Sequence, residues 1–185
     1  EELADNVELP VQVTIASGFP KGDKLEFITQ KVTELGASQI WGFPADWSVA
    51  KWDGKKLGKK VEKLEKIALG AAEQSKRNLV PSITLFEKKA DFLAQFDQFD
   101  RIVVAYEESA KEGEAAALIQ SLTGLEAGCK LLFIFGPEGG LSPAEIKSFT
   151  AKGAVLAGLG PRILRAETAP LYALSAVSVV TELMN

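Results

Sequence analysis

Apolar, β-branched runs alternate with segments of helical period along the whole 185-residue chain. Such a chain folds as a mostly parallel sheet with helices on both faces, because each crossover helix must bury its apolar stripe on the sheet. The spacing predicts strands at residues 11–15, 40–43, 82–86, 101–106, 130–135 and 154–159. Between them it predicts helices. One carries Leu25, Ile28, Val32 and Leu35 and is closed by Gly36. A long one covers 55–75, short ones cover 91–96 and 114–122, and the last runs over 168–184. Ser142-Pro143-Ala144-Glu145 reads as a capping box with proline in the first helical turn. Leu131 to Phe135 offers apolar residues to both faces, the mark of a central strand. The length suits one domain, and no internal boundary stands out.

Two features of composition narrow the chemistry. The chain has no histidine, which excludes a Ser-His-Asp triad, a Cys-His dyad and the His-bearing zinc and iron sites. Cys129 is its one cysteine, so no internal disulfide and no Cys-rich metal site are possible, and no metal is expected. Acid–base work falls to Asp, Glu, Lys, Tyr or a group on the substrate. No apolar run approaches the ~20 residues of a membrane helix, and the opening Glu1-Glu2 lacks a basic-then-apolar leader. The expectation is a cytoplasmic chain without membrane contact.

A net charge of −4 argues against a generic polyanion binder. The charge is uneven, however. Residues 51–77 hold nine basic side chains, Lys59 and Lys60 among them, against Asp53, Glu62, Glu65 and Glu73. Such a segment is either a local phosphate-facing surface or a solvated lysine face.

Two loops carry the functional reading. Gly136-Pro137-Glu138-Gly139-Gly140 leaves the central strand for a capped helix, at the strand edge where open α/β sheets bind ligands. Its glycines let backbone amides approach a ligand. The pattern is neither G-x-G-x-x-G nor a P-loop, so it suggests a cofactor held by backbone groups, and otherwise an ordinary tight turn. The second loop, Leu159-Gly160-Pro161-Arg162-Ile163-Leu164-Arg165-Ala166-Glu167-Thr168-Ala169, sets two arginines and a glutamate among apolar residues. Arginine reads phosphate or carboxylate through a bidentate fork, or it braces a helix start by pairing with Glu167.

Together these loops resemble the RsmE family of 16S rRNA uridine-N3 methyltransferases, in the SPOUT superfamily. The likeness extends over Lys21-Gly22-Asp23-Lys24-Leu25-Glu26-Phe27-Ile28 and on to Gly36, and over Ala72-Glu73-Gln74-Ser75-Lys76-Arg77-Asn78 with Val80-Pro81. Leu141 and Pro170 depart mildly from the family pattern. The resemblance implies an α/β domain over 11–185 whose C-terminal part forms a trefoil knot, an exception to the rule against knots. It implies S-adenosylmethionine as cofactor, a homodimer, and 16S rRNA within the small ribosomal subunit as partner. It also implies that residues 1–10 end an interdomain linker following a PUA-like domain absent from this sequence.

Carried onto this chain, the resemblance expects the backbone of Phe135, Gly136, Pro137, Gly139 and Gly140 and of Leu159, Gly160, Ile163 and Leu164 to hold the cofactor, with Ala105 and Tyr106 as a third wall. Gln74 and Arg77 are expected at the RNA, supported by Lys59 and Lys60. Uracil N3 is a poor nucleophile until its proton leaves. Without histidine, Arg165 or Arg162 is expected to stabilise the uracilate oxygen and Glu138 or Glu167 to take the proton; Glu138 is equally a residue that shapes the cofactor loop. A SPOUT enzyme acting on another RNA position, such as a ribose 2′-hydroxyl, and a non-catalytic module binding S-adenosylmethionine and RNA are the alternatives.

Overall fold

Six parallel strands form one sheet in the order β3-β2-β1-β5-β4-β6. The computed structural model describes residues 6–107 and 116–184. The strands are β1 (Gln12–Gly18), β2 (Gln39–Phe43), β3 (Ser82–Leu85), β4 (Arg101–Ala105), β5 (Lys130–Phe135) and β6 (Val155–Ala157). The helices are α1 (Lys24–Glu34), α2 (Gly54–Gln74), α3 (Lys89–Leu93), α4 (Ala116–Leu122), α5 (Pro143–Ala151) and α6 (Ala169–Ser178).

The period-two alternation of β5 sorts its side chains between two cores. Leu131, Phe133 and Phe135 face a cluster built with Leu25, Ile28 and Val32 of α1, Leu64 and Ala68 of α2, Leu118 of α4, and Ala173 and Leu174 of α6. Leu132 and Ile134 face an aromatic cluster under α3 and α5. There Phe43 stacks on Phe92 at 4.3 Å, and Phe149 meets both rings edge-on. Burial on both faces is what makes β5 the central strand. Helix α1 ends as the sequence predicts, with Gly36 at φ +104° and its amide bonded to the Thr33 carbonyl.

Several elements differ from expectation. The strand expected over 154–159 shortens to three residues, and it is not wholly buried, since Val155 is 48% exposed. β6 sits at the sheet edge and pairs only with β4, so residues 158–159 have no second neighbour to keep them extended. The helix expected over 91–96 divides into α3 and a 3₁₀ turn, Phe96–Gln98. The last helix loses its α register after Ser178 and continues as a π-helical turn, Val179–Leu183. Residues 114 and 115, expected in a helix, lie outside the described residues. Pro170 is buried in the first turn of α6, where its missing N–H interrupts nothing.

Candidate active site

The C-terminal ends of β4, β5 and β6 open onto one cavity of about 630 Å³, the edge at which an open parallel sheet presents its loops. Residues 105–107, 135–141 and a loop from Leu159 to Ala166 form its walls, so every residue expected to hold the cofactor lines it. The glycine loop is fixed by its own backbone. Gly140 takes φ +80° and its amide bonds to the Pro137 carbonyl at 2.8 Å. A Cβ on Gly136 would lie 2.9–3.0 Å from backbone atoms of Gly140 and Leu141. Gly136→Ala therefore must open the turn. The expected result is a loss of about 1–3 kcal/mol in stability together with weakened ligand binding, read by urea titration and calorimetry.

Glu138 lies at the rim. Partial burial pushes its carboxyl up, but the Lys21 amide at 2.7 Å and Lys24 Nζ at 2.9 Å donate to Oε1 and hold it below the usual carboxylate range. This ties the glycine loop to the start of α1. Lys24 Nζ also stands 3.9 Å from Glu167 Oε2, a buried oxygen that accepts no hydrogen bond among the described residues. Lys24 and Glu138 line the cavity, whereas Glu167 does not line it but stands next to Lys24. Arg162 and Arg165 line it and are exposed. The Arg165 carbonyl accepts from the Thr168 and Ala169 amides, turning the loop into α6.

Two further residues line the cavity that the sequence did not place there: Lys24, within a segment of family likeness, and Trp47, which carried no signal. Trp47 arrives on the β2–α2 loop. Its neighbour Asp46 accepts from Lys89 and from the Ser142 hydroxyl, and the Asp46 amide donates to Glu145 Oε2 at 3.1 Å. Lys89 Nζ reaches the same Glu145 oxygen at 2.9 Å. Glu145 Oε1 accepts the Ser142 amide at 2.9 Å, completing the predicted capping box. The hydrogen bonds from Lys89 and Ser142 hold the Asp46 carboxyl low. Burial alone would lower Lys89, but its two carboxylate partners raise it instead.

None of the residues expected at RNA lines this cavity, and Arg77 is held by partners within the fold. Its side chain is 4% exposed. It bonds the Glu8 carboxylate through Nε and Nη2, and Nη1 donates to the Thr33 and Ala37 carbonyls at 2.9 and 2.8 Å. It is an internal latch with no donor directed at a phosphate. Gln74 borders a separate polar groove between α1 and α2, with Gln30, Glu34 and Lys66. Lys59 is exposed, and Lys60 Nζ lies 4.0 Å from the centre of the Trp52 ring. No described helix is long and apolar enough to cross a membrane.

Residues 7–178 match the RNA methyltransferase domain family. The chain is 54% identical over 181 residues to ribosomal RNA small subunit methyltransferase E of Bacillus subtilis, covering 98% of this chain and 71% of that one. The chain belongs to the ribosomal RNA small subunit methyltransferase E family. Solved structures of this kind share its backbone. The family enzyme from Neisseria gonorrhoeae bound to S-adenosylmethionine is 27% identical with a TM-score of 0.79, over 96% of this chain and 70% of that one. A Legionella pneumophila methyltransferase in complex with the same cofactor is 28% identical with a TM-score of 0.81, over 96% and 69%.

Proposed function

We propose that this chain methylates N3 of a specific uridine in 16S rRNA of the small ribosomal subunit, as a homodimer that uses S-adenosylmethionine. The observation that carries the reading is the cavity at the ends of β4, β5 and β6, with backbone walls inside and Lys24, Arg162 and Arg165 around it. Its volume is that of a site for a cofactor-sized molecule. Gly136 and Gly140 leave main-chain groups as its surface, and the Glu167 oxygen beside it still needs a donor. These features fit S-adenosylmethionine, whose adenosyl and amino-acid groups need many hydrogen bonds. The backbone of residues 135–140 and 159–164 would hold it, with Ala105 and Tyr106 opposite. When bound, it supplies a methyl group activated by its sulfonium.

The chain's own residues handle the proton and the charge. Glu138 already receives two donors on one oxygen and is held ionised below the usual range, which suits a clamp better than a base. Glu167 keeps a buried oxygen without a donor, so it is the residue to take the N3 proton. Arg165, with Arg162, faces the developing charge on the uracil oxygens.

The homodimer belongs to the same reading. Its support is a set of exposed apolar side chains on the cavity loop and the C-terminal helix: Ile163 at 80%, then Tyr172, Val179, Leu183 and Met184. The Tyr172 hydroxyl would lie 3.4 Å from a Cβ on Gly160, so this helix meets the loop itself. The trefoil knot is supported by the path of the C-terminal chain, since α6 returns from edge strand β6 to pack on α1 and β5.

The melting temperature with S-adenosylmethionine, NAD serving as control, tests the cofactor. A ligand at a hundred times its Kd stabilises by about 2.7 kcal/mol, a rise of roughly 5–10 °C for a chain of this size. No rise, or an equal rise with NAD, overturns the reading. The RNA surface is tested by reversing charge at Lys59 and Lys60. The salt dependence of RNA binding should flatten by about one unit of slope for each phosphate that is no longer neutralised. An unchanged slope makes that helix face merely solvated.

A further inference from the structure

Of the three tryptophans, two have partners in the fold. Trp41 is 3% exposed among Phe86, Phe92 and Phe99, and Trp52 packs on Phe19 and under Lys60. Trp47 is different. It lines the cavity, is 50% exposed, and makes no ring contact among the described residues. An exposed indole on a loose loop would mean little. Here the loop is fixed on both sides. Ala45 and Ser48 are buried and closed into a turn by the Ser48 amide bonding to the Ala45 carbonyl at 3.1 Å. Asp46 is fastened to α5 and α3 through Ser142, Glu145 and Lys89. A Cβ on Gly139 would come within 3.3 Å of Trp47 Cβ, so the turn lies against the glycine loop.

We infer that Trp47 is a stacking platform for a nucleobase of the RNA, holding it at the mouth of the cavity beside the groups that act on uracil N3. Single-stranded RNA is recognised by aromatic faces set among cationic groups, on which unstacked bases lie. Trp47 shares its cavity with three such cations, Lys24, Arg162 and Arg165. Half of Trp47 is left to solvent, where a base arriving from outside can meet it. The anchored backbone means that little conformational freedom is lost when the base stacks. The inference rests on the methyltransferase reading above, which supplies the RNA and the cofactor.

The test is steady-state methyl transfer to unmethylated small ribosomal subunits, with S-adenosylmethionine affinity measured separately by calorimetry. Trp47→Ala should raise the KM for RNA by about ten- to a hundredfold, while the Kd for S-adenosylmethionine stays within about twofold. Trp47→Phe and Trp47→Tyr should restore most of the RNA affinity, whereas Trp47→Leu, of similar bulk without a π face, should not. Oligouridylate should quench tryptophan emission in the native chain more than in Trp47→Phe. An unchanged KM in Trp47→Ala, rescue by leucine equal to that by phenylalanine, or a selective loss of S-adenosylmethionine affinity overturns the stacking role and leaves the methyltransferase reading standing. Failure of the native chain itself to bind S-adenosylmethionine overturns both.

Discussion

Replacing Arg77 with alanine should remove about 3–5 kcal/mol of stability, a large share of the 5–15 kcal/mol that holds a typical domain together. The guanidinium bonds a carboxylate and two main-chain carbonyls at once, in a place almost closed to water. Its removal leaves Glu8, 14% exposed, as an uncompensated charge. It also takes one donor each from the Thr33 and Ala37 carbonyls, at the C-terminal end of α1 and beyond it, where a cation is favoured. Urea unfolding of Arg77→Ala should show a lower midpoint with an unchanged slope. The double variant Glu8→Gln/Arg77→Met should lose less than the sum of the two single changes, since the two side chains act as one unit. A loss below about 1 kcal/mol, accompanied by weaker RNA binding, would return Arg77 to the RNA-facing role expected from the sequence.

Changes at Glu167 and Arg165 should act on turnover. Glu167→Gln keeps the side chain's shape but removes the proposed proton acceptor. Arg165→Ala removes the cavity charge proposed to stabilise the uracil oxygens. Each should lower kcat by about 10²- to 10³-fold, with S-adenosylmethionine affinity within a few-fold of native. Glu138→Gln gives the contrast. Its carboxylate clamps the glycine loop to Lys21 and Lys24, so its loss should weaken cofactor binding more than the step at N3. Native turnover in both the Glu167 and Arg165 variants would remove these residues from the mechanism.

What the sequence disclosed depended on whether the signal was local. Leu131 to Phe135 carry their own evidence for a central strand, because burial on both faces leaves no polar alternation. The capping box at Ser142 is likewise contained within four residues. The two loops of the cavity were visible because each follows an apolar run and carries its own glycines and charged residues. Trp47 was not, since it reaches the cavity through Asp46 and partners about ninety-six residues away in the chain, and no period or motif marks that distance. The partners of Arg77 were hidden for a related reason, since they come from Glu8 and the end of α1, far from it in the chain. The edge position of β6 was equally hidden, because an apolar run does not say how many neighbours it will have.

The strand order has a consequence for the chain as it is made. β1 is made well before β5, yet one of its two edges is completed only by β5, from Gln12 against Lys130 to Ser17 against Phe135. At about 5–20 residues per second, that edge of β1 waits roughly 5–25 s for its partner. Until then β1, β2 and β3 are half a sheet with an open apolar seam, a surface that invites pairing with the wrong strand. Two walls of the cavity, at 135–141 and 159–166, come from segments made still later or alongside. The nascent chain must therefore protect its centre before it has any site to offer.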